Sequence, residues 1–155
     1  MDFRIKGLEP AQFSHLFALD DAELARCDAV RCVSDGKPGF PCRVSLEDAE
    51  PGETVLLVNY EHLPVDSPYR SRHAIYVREK AFAPFEGVNT VPAMLRERLL
   101  SVRAIDARGH IVDAEVTEGT GLATLVDRFF GDDRVAYLHA HFARRGCFAA
   151  RIDRC

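Results

Sequence analysis

Two histidines one residue apart, His139 and His141, sit in an alternating stretch near the C-terminus, VAYLHAHFARRGCFAARIDR at 135–154, together with Tyr137, Cys147 and Arg151. On an extended chain, side chains two residues apart leave the same face about 7 Å from one another. Such a pair of imidazoles could do three kinds of chemistry. It could begin a metal site, which would need a third and fourth ligand from His62, His73, Cys147 or a carboxylate. It could serve as general base, His139 or His141 activating Cys147 as a nucleophile. It could also line a cleft for a small anionic ligand, with Tyr137 and Arg151 on the same strand pair and Tyr69, Arg72 and His73 brought in from elsewhere. The plain alternative is a polar face turned to water. Two histidines alone do not make a metal site, so no metal ligand and no cofactor is assigned.

The element that must position these groups is a hairpin. Arg144, Arg145 and Gly146 have the chemistry of a three-residue turn closed by a left-handed glycine. That turn would set Ala143 opposite Cys147, Phe142 opposite Phe148, Ala140 opposite Ala150 and Leu138 opposite Ile152, all apolar. The reverse face would pair His141 with Ala149, His139 with Arg151 and Tyr137 with Asp153. Asp106 to Gly109 repeats the same turn chemistry. Its outward count pairs Ala104 with Val112, Val102 with Ala114 and Leu100 with Val116, and faces Arg103 with Asp113 as a salt-paired solvent side.

The remaining chain reads as short elements. Pro10 opens a short helix over 10–18, and Asp20 with Glu23 forms a capping box for a helix to Arg26. A strand over 29–33 is followed by the turn residues Ser34 to Gly39. Phe40 to Leu46 alternates, with Cys42 on the apolar side and Arg43 on the other, which makes Cys42 a buried thiol rather than a reactive one. Val55 to Tyr60 is apolar on both faces and suits a covered strand. Glu61 to Arg72 shows no periodicity and reads as a long loop, ahead of a strand over 73–78 in which His73 begins the apolar register. Thr90 caps a helix through Leu99, and Thr120 caps one that Gly131 stops. Helices do not follow every strand, which favours a mainly antiparallel α+β sheet of about six to eight strands, open or partly closed into a barrel, with three or four short helices.

Length and composition bound the rest. A chain of 155 residues with 47% apolar and 28% charged side chains is a single globular domain, 1–155, with enough core to fold without staples. Five cysteines at irregular spacing, with no Cys-x-x-Cys pair, are expected to be reduced. A net charge of -4 with scattered arginines argues against nucleic acid as a partner. No unbroken apolar run exceeds the length of Val55 to Val58, too short for a membrane helix, and MDFRIKGLEP has no signal-peptide core, so a cytoplasmic protein is expected. P-loop, dinucleotide-binding, His-Glu-x-x-His and Gly-x-Ser-x-Gly motifs are absent, which removes the common nucleotide, zinc-protease and hydrolase chemistries.

Four runs, GFPCR at 39–43, GETVLLVNY at 52–60, SPYRSRHAIYVRE at 67–79 and HAHFARRGCFAARIDR at 139–154, give nearly the whole chain a resemblance to a family of small bacterial proteins, domain of unknown function 1203. The resemblance implies a bacterial cytoplasmic protein and carries over no catalytic residue. The expectation is therefore a small-molecule-binding domain, of open oligomeric state. Its site would lie where the Glu61 to His73 segment meets the polar face of the last hairpin, and would be built from Tyr69, Arg72, His73, Tyr137, His139, His141 and Arg151. A Cys147 enzyme, a His-x-His metal module and a structural module that self-pairs through the last hairpin stand as alternatives.

Overall fold

The computed structural model describes all residues, Met1–Cys155, and folds them into two antiparallel sheets. The larger has six strands in the order β5-β1-β9-β8-β6-β7. These are β1 (Phe3–Lys6), β5 (Glu86–Val88), β6 (Leu99–Asp106), β7 (Ile111–Glu118), β8 (Val135–Phe142) and β9 (Phe148–Arg154). The smaller sheet orders β2 (Ala29–Val33), β3 (Thr54–Leu63) and β4 (Ser71–Arg78) as β2-β3-β4. Helices α1 (Asp21–Arg26), α2 (Ala93–Arg96) and α3 (Leu122–Phe130) complete an α+β fold. The mainly antiparallel α+β expectation holds, and of its two forms the open one is taken, since neither sheet closes on itself. No helix is long and apolar enough to cross a membrane.

Alternation and helical period account for the main core. Leu100, Val102 and Ala104 of β6, Leu138, Ala140 and Phe142 of β8, and Ala150 and Ile152 of β9 point to one side of the large sheet. Helix α3 covers them with Leu122, Leu125, Val126 and Phe129, spaced i, i+3, i+4, i+7, and each such fully buried side chain contributes roughly 1.5–3 kcal/mol. A second core lies on the small sheet, where Leu56, Val58, Ile75 and Val77 meet Phe13, Leu16 and Leu24 from the N-terminal segment. Asp20 and Glu23 make the reciprocal capping box that starts α1.

Several expected elements take a different form. The helix over 10–18 is two tighter 3-10 pieces, Pro10–Gln12 and Ser14–Ala18, because three residues per turn bring Phe13 and Leu16 to the same side of the small core. The helix over 90–99 keeps one α turn. Its last residues are drawn into β6, where Leu99 pairs with Glu118 and its carbonyl accepts Ala143 N–H at 3.0 Å. The Phe40 to Leu46 segment is no strand. Leu46 is left-handed at φ 49°, the chain folds back so that Ala49 N–H reaches the Phe40 carbonyl, and Arg43 is buried alongside Cys42 instead of facing away. The expected loop over 61–72 shrinks to 64–70, since β3 runs on to Leu63 and β4 begins at Ser71. The β6–β7 hairpin is slipped by one residue from the expected register: a shift between Ala104 and Ile105 pairs Arg103 with Ala114 and Ala104 with Asp113, and the Arg103–Asp113 pair is not made. Strands β8 and β9 lie inside the large sheet, with β6 and β1 as outer neighbours, so the last hairpin has no edge left for self-pairing.

The two sheets join along a seam at the end of β1. Gly7 N–H donates to the Phe85 carbonyl, Phe85 N–H to that of Val44, and Leu8 N–H to that of Arg43. A Cβ on Gly7 would stand 1.9 Å from the Val44 carbonyl oxygen, a contact with backbone that cannot rotate away. Gly7→Ala is therefore expected to lower unfolding free energy in a denaturant titration by about 1–3 kcal/mol, the usual cost of overpacking; a change within experimental error would show that the seam is not rigid.

Candidate functional site

The last hairpin follows the expected pairing as far as Ala140 opposite Ala150, including His139 opposite Arg151 and Tyr137 opposite Asp153. It then slips by one residue. Ala143 N–H is taken by the Leu99 carbonyl of β6, which pulls Ala143 into a four-residue loop and leaves Phe142 N–H to bond the Cys147 carbonyl. Ala149 becomes the extra residue of a bulge, and His141 pairs with Phe148. Two side chains change sides as a result. Phe148 joins the histidine face, and Cys147 joins the apolar face, where its sulfur accepts from Arg43 Nη2 at 3.1 Å. The arrangement expected of a Cys147 enzyme, a thiol beside His139 or His141, is thus replaced by a thiol beside a guanidinium.

The histidine face is covered by the end of β3. A bulge between the Tyr60 and Leu63 pairs of β3 leaves His62 buried, and its ring centroid lies 4.9 Å from that of His141 and 6.1 Å from that of His139. Phe148 is the hub. It stacks on His62 at 5.6 Å and 8°, meets His139 edge-on at 5.0 Å, and reaches His141 at 5.9 Å and Tyr60 at 6.1 Å. His139 and His141 are only 3% and 1% exposed, so the face does not turn to water. No group of three His, Cys, Asp or Glu side chains is arranged to hold a metal ion.

Burial governs the charge state of these rings. It pushes His139 down to about 2, helped by His141 and His62, and His141 down to about 3, helped by the Arg103 guanidinium; His62 falls to about 4 from burial and the same arginine. All three imidazoles are neutral at pH 7. The tautomer of His141 is fixed as well. Its Nδ1 lies 2.9 Å from the Gly146 carbonyl, which can only accept, so Nδ1 carries the proton and Nε2 presents a lone pair. That Nε2 is buried with no hydrogen-bond partner, as is Nδ1 of His62.

Arg103 of β6 stands directly across from His139, on the same face, with Ser101 across from His141. It is half-buried, makes no hydrogen bond and no ion pair, and is perturbed by burial alone. The other expected site residues divide. Tyr137 stays beside His139, at 5.3 Å, its hydroxyl pushed up by burial. Arg151 lies over the Tyr137 ring at 3.8 Å and is bound to Asp153, which leaves its guanidinium committed. His73 is across the small sheet from Tyr60, its Nδ1 near the Ala74 carbonyl. Tyr69 and Arg72 lie apart from the rings: Tyr69 packs on His110, and Arg72 is taken by Asn59 and Glu61. The loop that carries Tyr69 is anchored instead on the β6–β7 turn, through Ser67 Oγ–H to the Gly109 carbonyl. The residues missing from the expected anion site are Arg103, Phe148, Tyr60 and His62, the last of which had entered only as a candidate metal ligand. The alternation Leu56, Val58, Tyr60, His62 was the available signal for two of them. A surface hollow of about 400 Å³, lined in part by Pro10, Phe13, Phe17, Val77 and Phe82, lies elsewhere.

Fold and site together describe an α+β protein of two open antiparallel sheets with a dry histidine cluster at their junction. Residues 39–154 match the family described as "Protein of unknown function (DUF1203)", and the chain belongs to it. No curated protein and no solved structure matches the chain.

The neutral rings link stability to pH. An unfolded histidine takes a proton below about 6.5, whereas the folded rings resist until far lower, so the unfolded state binds more protons as pH falls. Stability is therefore full above about 6.5 and is lost on acidification, by up to about 1.4 kcal/mol per pH unit for each ring. Urea unfolding between pH 7 and pH 5 is expected to show a shallower slope for His139→Phe than for the wild type; equal slopes would mean that the ring is not held neutral.

Proposed function

We propose that the protein binds a small anionic ligand at the junction of the two sheets, on Arg103 with the imidazoles of His62, His139 and His141 behind it. The observation that carries this reading is the half-buried Arg103 guanidinium, which has no acceptor in the protein. A guanidinium offers five N–H donors and stays charged, so leaving it partly desolvated without an acceptor is costly. A carboxylate or phosphate group supplies both the charge and the acceptors. The rings offer orientation rather than charge, since they are neutral. A single oxyanion is enough to occupy the donors of one guanidinium.

Tyr137 and His73 border this site. Tyr69, Arg72 and Arg151, each already engaged, are left out of it. The five cysteines carry no disulfide, which supports a reducing compartment such as a bacterial cytoplasm. The net charge of -4 supports a small-molecule ligand over nucleic acid.

Phosphate added to the protein at pH 7 is expected to shift the ring resonances of His62 and His141, and Arg103→Met is expected to weaken that binding at least about tenfold, as loss of a charge-assisted bond does. Saturating phosphate that moves no histidine signal would end the reading.

A further inference from the structure

We infer that the hollow between the N-terminal 3-10 pieces and the end of β4 binds an arylalkylammonium ion, a cation that carries an apolar ring. This site does not involve Arg103, so it stands or falls apart from the anion reading. The hollow, of about 400 Å³, has the size that small ligands fill. One wall is Pro10, Phe13 and Phe17. The other follows β4, where Ala81 N–H bonds the Arg78 carbonyl at 3.2 Å and the resulting turn brings Ala81 and Phe82 to the same hollow. Phe13, Val77 and Ala81 are buried members of the small core, and Phe13 is held edge-on to Tyr60 at 5.9 Å. These lining residues are therefore fixed before any ligand arrives. Phe82 is different. Its ring is 83% exposed, and it gains burial only when something apolar packs on it.

The charges on the wall select the ligand. Two ionised side chains border the hollow, Arg78 and Glu79. The Arg78 guanidinium is committed to Glu53 at 3.0 Å and Glu47 at 3.1 Å, with Ser45 as a further acceptor. Lys80, the next cation along the chain, borders a separate hollow with Glu50 and Glu53. Glu79 is exposed and makes no ion pair, so the uncompensated charge at the phenylalanine-lined hollow is negative. The rings act in the same direction, because the face of a phenyl group attracts a cation and not an anion. A ligand with a ring but no positive charge would use the apolar walls alone. An ammonium ion without a ring would use Glu79 alone. An arylalkylammonium ion uses both.

The test titrates phenethylammonium into the protein at pH 7 and low salt, read by the ring NMR signals of Phe17 and Phe82 and the methyl signal of Ala81. All three are expected to shift to saturation. Phenylacetate, with a ring and the opposite charge, and ethylammonium, with the charge and no ring, are each expected to bind at least about tenfold more weakly, the combined scale of ring burial, cation–π attraction and one ion pair. Glu79→Gln is expected to cut phenethylammonium affinity about two- to fivefold, as loss of an exposed ion pair does, and to remove most of its salt dependence. Phe82→Ala is expected to weaken binding at least about threefold with no change in the urea midpoint, since the ring packs on nothing that folding requires. Signals that stay still at millimolar phenethylammonium would overturn the site. Phenylacetate binding as tightly, or Glu79→Gln binding as well as the wild type, would overturn the selection of a cation, and ethylammonium binding as tightly would overturn the role of the rings.

Discussion

A guanidinium with no carboxylate partner holds the two sheets together. Arg43 is 1% exposed, and burial lowers its affinity for its proton. Its Nε donates to the Phe148 carbonyl at 2.7 Å, its Nη1 to the Pro41 carbonyl and its Nη2 to Cys147 Sγ, while its Cζ lies 4.9 Å from the centre of the Phe142 ring. Its own backbone N–H reaches the Tyr76 carbonyl of β4, and its carbonyl accepts from Leu8. One residue thus bonds the small sheet with its main chain and the large sheet with its side chain. Removing such a group from water is costly, and the cost is met only because carbonyls, a sulfur and a ring face occupy its donors and its flat surface.

That seam explains the shape of the site beyond it. The acceptor on Phe148 is available to Arg43 because the bulge at Ala149 has turned this part of β9, and the same turn presents the Phe148 side chain to the histidine face. Cys147, rotated the other way, completes the coordination of Arg43. The end of β3 is then set over β8, and His62 stacks on Phe148. A cluster closed in this manner excludes water from His139 and His141, and exclusion of water is what keeps them uncharged. A seam built on a cation and a site built on neutral bases are in this sense one construction.

Much of this was legible from residue spacing, and the failures share a physical cause. The alternation of β8 and β9 correctly placed Leu138 with Ile152 and His139 with Arg151, and the Asp20–Glu23 box gave the start of α1. Each hairpin register failed by one residue on one side of a bulge: in β8–β9 next to the turn, where Leu99 of a third strand takes the N–H of Ala143, and in β6–β7 beyond Ile105, where the expected count holds at the turn but not along the strands. Period-two patterning finds a face but does not find a bulge. It therefore kept Cys147 with the histidines and hid Phe148. Arg43 was misplaced for a related reason, since its long side chain can be buried from a segment whose backbone lies at the surface of a core. Arg103 was set aside as half of a cross-strand ion pair that the slipped register does not allow.

The separation of roles between Arg103 and the rings follows from where each is anchored. His139 and His141 lie on β8, flanked on both sides by hydrogen-bonded strands, and His141 is pinned further by the Gly146 carbonyl. Positions of this kind fix the direction of a ring nitrogen closely. Charge needs no such direction. Arg103 can attract an anion from the rim while half-exposed, because Coulomb attraction falls off slowly with distance compared with the angular demand of a hydrogen bond. Were the rings charged instead, attraction for an anion would rise, but every ring nitrogen would become a donor and His141 Nε2 would lose its lone pair.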